Sequence, residues 1–247
     1  MNRLLKVFAM AAMLVLGGQA MAQTTHGTMF LGASFPMNDF GDGDGFVETA
    51  LGGYDDDGGA GIGFNAGLKW DFGVGVPGLS VLLSIDGLYN GPSADLKNDY
   101  KAVERDWETW CDNVTVTSPK YINVPAMLGL RYCYYLNPSF GIYLEGGAGG
   151  NMRFITDYTQ KGSSKVLKWK NNIVYDYENA FSFAWQAGLG IEVSKNLVIG
   201  CSFYDLGNTE VRGEKSSVVE GVNVPTVDFV QGPLHTVMIL GRIGFRF

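Results

Sequence analysis

Histidine is nearly absent from this chain, with two in 247 residues, and cysteine is scarce, with three. After Ala22 no apolar run reaches the ~20 residues that a membrane-spanning helix needs. That excludes a polytopic helical membrane protein. Cations are the minority charge, 18 against 25 acids, and an acidic chain repels nucleic acid. No Gly-x-Ser-x-Gly elbow, phosphate-binding loop or paired-histidine zinc helix occurs. The neighbours of His235, Leu234 and Thr236, offer no nucleophile–base pair, and His26 stands near the predicted mature start. No catalytic residue, cofactor or firm metal site is therefore expected. The spacing of Cys111, Cys133 and Cys201 fits neither a zinc site nor a disulfide framework. Three unpaired thiols are expected, with one disulfide as the alternative.

The first 22 residues read as a secretory leader. Arg3 and Lys6 precede an uncharged apolar stretch, Val7–Gly18, and Ala20-Met21-Ala22 is a small-x-small cleavage site. The stretch is too short to span a membrane, and no lipid-anchoring cysteine lies near the cut. The leader carries two of the 18 cations and none of the acids, so residues 23–247 hold a formal −9. They are read as one all-β domain.

Glycine, at 35 residues, is roughly twice its ordinary share, and 13% of residues are aromatic. Period-two alternation dominates. From Val237 the odd positions Val237, Ile239, Gly241, Ile243, Phe245 and Phe247 are apolar or glycine, while Arg242 and Arg246 occupy even ones. Ile62, Phe64, Ala66, Leu68, Trp70 and Phe72 oppose Asn65, Lys69 and Asp71. Phe181, Phe183, Trp185, Ala187, Leu189 and Ile191 oppose Ser182, Gln186 and Glu192. Period two places each set on one face of a sheet.

Eight strands are predicted, near 27–35, 59–72, 78–90, 120–135, 139–154, 180–194, 196–206 and 235–247. Tight connections (Gly73–Pro77, Leu136–Pro138, Ser194–Asn196) alternate with long ones (Pro36–Gly58, Gly91–Ser118, Ile155–Asn179, Gly207–Gly232). Tight and long in turn is the tempo of a barrel with short periplasmic turns and long external loops. The expected fold is an eight-stranded antiparallel up-and-down transmembrane β-barrel, with apolar side chains facing lipid and a polar lumen. The bland alternative is a water-soluble barrel with its apolar face inward.

An eight-stranded barrel is just wide enough to be filled by side chains. The polar faces carry Lys69, Arg131, Arg242 and Arg246 with Asp86, Glu145 and Glu192. Unpaired burial of charge is expensive, so these seven are expected to form a salt-bridge network that plugs the lumen. A conductive path is the alternative. The glycine clusters Gly61/Gly63/Gly67 and Gly146/Gly147/Gly149/Gly150 are expected to make room for bulky neighbours.

The first long connection holds Asp39, Asp42, Asp44, Glu48, Asp55, Asp56 and Asp57 without a cation. A divalent-cation site is weighed there against a solvated acidic loop; Phe46 breaks the EF-hand pattern. Asp95–Trp110 in the second fits a short helix. The third carries Lys161, Lys165, Lys168, Lys170 and Trp169, and fits a hairpin above the membrane or a contact for anionic lipopolysaccharide. The fourth shows no usable motif.

Tyr121-Ile-Asn-Val-Pro-Ala-Met-Leu-Gly-Leu-Arg-Tyr132 resembles the proline-bearing central strand of the porin-like outer-membrane β-barrel domain family of Gram-negative bacteria. Gly244-Phe-Arg-Phe247 is similar to the aromatic C-terminal signal of barrel substrates, with Phe245 and Phe247 as its aromatics. The resemblance implies residence in the outer membrane, insertion by the barrel assembly machinery, and no shared catalytic residues. The expected role is structural or recognition-related through the external loops. A narrow channel for ions or small solutes is the second reading, and a lipid- or peptide-cleaving barrel enzyme the third. Expected partners are outer-membrane lipid or lipopolysaccharide, with a monomeric chain.

Overall fold

The structure is a computed structural model that describes residues 25–42, 58–109, 111–164, 170–194, 196–219 and 222–247. The predicted leader, Asp44, Glu48, Asp55, Asp56, Asp57, Trp110, Lys165, Lys168 and Trp169 lie outside the described residues.

Among the described residues eleven strands form one antiparallel sheet: β1 (Thr25–Met37), β2 (Gly63–Gly73), β3 (Leu79–Asn90), β4 (Cys111–Thr117), β5 (Tyr121–Asn137), β6 (Phe140–Ile155), β7 (Tyr158–Ser164), β8 (Lys170–Tyr177), β9 (Ala180–Val193), β10 (Leu197–Val219) and β11 (Val222–Arg246). A 3₁₀ turn (Asn38–Phe40) follows β1, and a helix, α1 (Ala94–Glu108), precedes β4. The pairing order β11-β1-β2-β3-β5-β6-β9-β10 returns to its start because β10 also pairs with β11. The sheet thus closes into a ring through eight strands, and closure removes the free edges that an open sheet would present. Strands β8, β7 and β4 continue from the upper part of β10 as an extension beyond the ring.

Local chemistry explains the tight turns. Between β2 and β3, Gly75 and Gly78 take φ of +80°, which glycine adopts without steric cost. Between β5 and β6, Asn137 Oδ1 accepts the Ser139 backbone N–H at 2.9 Å, an Asx turn. Pro125 has no N–H to donate, and the β3–β5 ladder lapses opposite it, between Ile85↔Ala126 and Leu88↔Asn123.

The alternation is inverted relative to a soluble barrel. Leu31 (63% exposed), Leu144 (62%) and Ile243 (60%) point outward, while Lys69 and Arg131 (1% each) point inward. An apolar belt of this kind around the whole wall is far larger than the patches that water-soluble monomers expose. Inward glycines give bulky lumen side chains their space. A Cβ on Gly244 would collide with the Phe30 ring, and one on Gly67 with the Asp86 carboxylate.

The last two strands correct the sequence reading. Residues 207–219 and 222–232 are strand rather than irregular loop. β10 and β11 run 23 and 25 residues and remain paired almost to their common tip. The departure point is built by Asp205: its Oδ1 accepts the Gly207 N–H at 2.9 Å, Gly207 takes φ of +83°, and the register with β11 shifts there. β10 leaves β9 after Asp205↔Trp185 and pairs with β8 from Gly213 upward. The third long connection is the β7–β8 hairpin, but it pairs sideways with β4 and β10 rather than prolonging β6 and β9 alone.

Candidate functional site

The long-loop end is closed by an aromatic cap. α1 begins at Ser93, whose Oγ accepts the Leu96 N–H at 3.1 Å, with Asp95 in the first turn and Arg105 in the last. Its buried face, Leu96 and Tyr100, packs into a cluster with Phe40, Leu88, Tyr121, Tyr158, Tyr175, Tyr177, Leu206, Val211, Leu234 and Met238. Ring centroids step from Tyr100 to Tyr158 (5.3 Å), Tyr158 to Tyr175 (5.5 Å) and Tyr175 to Phe229 (5.5 Å). Each such pair adds ~0.5–1.5 kcal/mol beyond area burial. Burial pushes the Tyr158 hydroxyl up to about 12 and moves Tyr100 upward as well.

Beneath the cap lies a neutral amide layer. Asn90 Nδ2 donates to Ser34 Oγ at 3.0 Å, and Asn151 Nδ2 to Asn123 Oδ1 at 3.0 Å, and Asn65 is buried with its Nδ2 on the Ala33 carbonyl at 2.9 Å. Arg153 reaches the wall from β6. Its Nη2 donates to the Thr209 carbonyl (3.1 Å) and its Nη1 to the Leu234 carbonyl (3.2 Å). The Thr209 carbonyl belongs to the stretch of β10 that has left β9, so the guanidinium replaces a lost ladder partner.

The ionic layer occupies the short-turn half. Lys69 pairs with Glu145. Arg242 Nη1 donates to Asp86 Oδ1 at 2.9 Å and Nη2 to the Tyr204 hydroxyl at 2.7 Å, while that hydroxyl donates to Asp86 Oδ2 at 2.7 Å. Arg131 bridges Asp71 (3.1 Å) and Glu192 (2.6 Å). Arg246 bonds the same two carboxylates, with Nη1 2.6 Å from Glu192 Oε2. The Tyr135 hydroxyl donates to Glu192 at 2.9 Å. The Arg131 guanidinium also stacks 3.8 Å from the Tyr143 ring centroid.

All seven lumen residues picked from the sequence are thus gathered into three bonded groups: Lys69 with Glu145, Arg242 with Asp86, and Arg131 and Arg246 with Glu192. The sequence reading left Asp71 out of the network, although it shares the Lys69 face two positions on. It also left out Arg153, Tyr135 and Tyr143, although alternation puts them on the polar face, and Tyr204. A cleft of about 450 Å³ opens at the short-turn end, bounded by His26, Tyr135, Glu192, Arg246 and Phe247.

The remaining sequence candidates fall elsewhere. Phe247 seals the β1–β11 seam through hydrogen bonds with Gly27 in both directions (3.1 and 2.9 Å), and Phe245 faces outward. Asp39 and Asp42 lend backbone carbonyls to Gly58 and Gly59. Among the described residues no group of three or more His, Cys, Asp or Glu is placed to hold a metal ion. Cys111, Cys133 and Cys201 are free thiols. His235 does have an acid beside it that the sequence did not reveal: its Nε2 lies 3.0 Å from Asp205 Oδ1, across the β10–β11 pairing. The nearby Ser182 hydroxyl is directed at the Leu206 carbonyl instead.

A closed antiparallel ring with an apolar exterior and an ionic interior defines a transmembrane β-barrel. The chain belongs to the outer membrane protein beta-barrel domain family, whose model matches residues 8–214, and its location is the outer membrane. No curated protein matches the chain. Among solved structures it is similar to the attachment invasion locus protein Ail of Yersinia pestis, at 15% identity and a TM-score of 0.38, covering 91% of this chain and 100% of that one. A major outer membrane protein of Thermus thermophilus gives 11%, 0.45, and 91% and 100% coverage. OprG of Pseudomonas aeruginosa gives 14%, 0.45, and 92% and 97%.

Proposed function

We propose that this protein is an eight-stranded, up-and-down barrel with a side-chain-plugged lumen, non-enzymatic, serving a structural or recognition role through the extension that its long connections build outside the cell. The observation that carries this reading is the double closure of the lumen. Lys69, Asp86, Arg131, Glu145, Glu192, Arg242 and Arg246 are all paired across its lower half. An apolar cluster covers its upper end. An ion entering from below meets fixed, mutually neutralised charges, and one entering from above meets the buried side chains of that cluster. In this reading Phe245 and Phe247 carry the signal for the barrel assembly machinery, the chain is a monomer, and its standing partner is outer-membrane lipid or lipopolysaccharide.

Single-channel recording in planar bilayers tests the plug. No resolvable conductance is expected. Discrete steps that disappear when the lumen charges are altered would instead establish the narrow-channel reading. Turnover of lipid or peptide substrates, abolished by His235→Ala, would establish the enzymatic one.

A further inference from the structure

The outward faces of neighbouring strands change character at different heights. On β10 the outward residues Ile199, Cys201 and Phe203 give way to Asp205, Asn208, Glu210 and Arg212. Glu210 and Arg212 form an exposed ion pair. Charge of this kind belongs at the headgroup level, not in the hydrocarbon. On β9, Trp185 is paired with Asp205, yet its outward face stays apolar above that level through Phe183 and Phe181, which are 67% and 62% exposed. The aromatic ladder therefore rises four residues, roughly 13 Å along the strand, beyond the point where β10 turns polar. Because β10 leaves β9 at this point, the two faces flank a notch of about 540 Å³ lined by Phe181, Phe183, Trp185, Asp205, Asn208 and His235.

One wall of the notch is flat and aromatic; the other is hydrogen-bonding. Trp185 is fixed by its contact with Phe203, at 5.3 Å between centroids. Asp205 is held by Gly207 N–H and His235, both on Oδ1, which leaves Oδ2 unengaged among the described residues. The Asp205 carboxylate makes the corner unwelcoming to a phosphate. An apolar face opposite a few fixed polar groups is the general make-up of a small-ligand site. A pyranose matches it: a C–H face for the rings and a rim of hydroxyls for carboxylate, amide and imidazole. The notch is continuous with the lipid-facing belt, so an acyl chain attached to that sugar would lie along β9 and β10 below.

We infer that this notch between β9, β10 and β11 is a binding site for the saccharide headgroup of an outer-leaflet glycolipid. The inference rests on the transmembrane reading above and names a lipid class and a place for the contact proposed there.

The test is photo-crosslinking in phosphatidylcholine nanodiscs doped with equal amounts of a diacyl monohexosyl glycerol and phosphatidylethanolamine. Benzoylphenylalanine replaces Phe183, and the adducts are identified by mass spectrometry. The sugar lipid is expected to be captured about tenfold over phosphatidylethanolamine, a step of ~1.4 kcal/mol in relative affinity. Asn208→Leu and His235→Leu, each on the outer surface and each checked for the heat-resistant compact band of a folded barrel, are expected to bring that ratio to parity. Equal capture of the two lipids in the parent protein, or a preference that survives in both variants, overturns the site. A second photoreactive residue at Ile85, across the ring on β3, reports on embedding alone. Lipid adducts in proportion to bulk composition are expected there. Their complete absence would overturn the transmembrane reading itself, a failure distinct from loss of headgroup preference.

Discussion

The two halves of the lumen are closed by opposite means. The short-turn half is closed by charge, with four cations and four carboxylates interlocked in space that glycines vacate. The other half is closed by aromatic burial, with a helix and an upright sheet packed over the mouth. The difference teaches where each kind of plug can exist. Inside the ring the wall is fixed by closed ladders, so charged groups can be held at hydrogen-bond distance and repay their desolvation. Above the ring β10 leaves β9, and the mouth is covered by apolar and aromatic packing, a non-directional interaction that does not need a fixed wall on every side.

Removing one member of the ionic plug should have the largest effect. Glu192→Ala leaves Arg131 and Arg246 without the carboxylate they share, and loss of a buried partner typically costs about 3–5 kcal/mol. The unfolding midpoint of the barrel in urea should fall accordingly; an unchanged midpoint would break the contrast at once. Tyr175→Ala should cost a similar ~3 kcal/mol, but within the cap only. Limited proteolysis is expected to release the extension while the barrel keeps its compact band on an unheated gel. Simultaneous loss of both would mean that the halves fold as one unit.

The seam comes next in expected effect. Gly27→Val places a branched side chain where the Phe247 ring packs, and overpacking of this sort costs about 1–3 kcal/mol. Slower appearance of the folded band during refolding is the readout, and wild-type kinetics would sink it. Ser93→Ala should remove about 1 kcal/mol from α1, seen as faster amide exchange in its first turn with no change in the barrel.

Alkaline titration sharpens the comparison last. Tyr158 is raised from 10.0 to about 12 by burial. The stability linked to its neutral form is therefore fully present below pH 10.0 and is lost as the pH rises through about 12. The cap should loosen in that window before the barrel does, with tyrosinate absorbance lagging behind that of a free tyrosine. Ionisation of Tyr158 at the ordinary value would contradict its burial.

The barrel strands were legible because period two is absolute in a lipid-facing wall. Each outward residue must be apolar, and Ile62–Phe72 and Phe181–Ile191 show it residue by residue. Lys69, Arg131, Arg242 and Arg246 stood out against that background for the same reason. The extension was not legible. Glu210, Arg212 and Glu214 face water on one side of β10, while Val211 and Gly213 face the cap, and nothing in a mixed polar stretch distinguishes this from a loop.

Sequence alone determined the inward and outward faces of the barrel strands and the charges that had to meet inside, because alternation and the cost of burying charge are local constraints. Tertiary structure alone decided which carboxylate serves which cation, that Asp205 meets His235, and that β10 abandons β9 for β8. Those outcomes depend on register and closure, which bring residues far apart in the chain to one height on the wall, and no local pattern encodes that height.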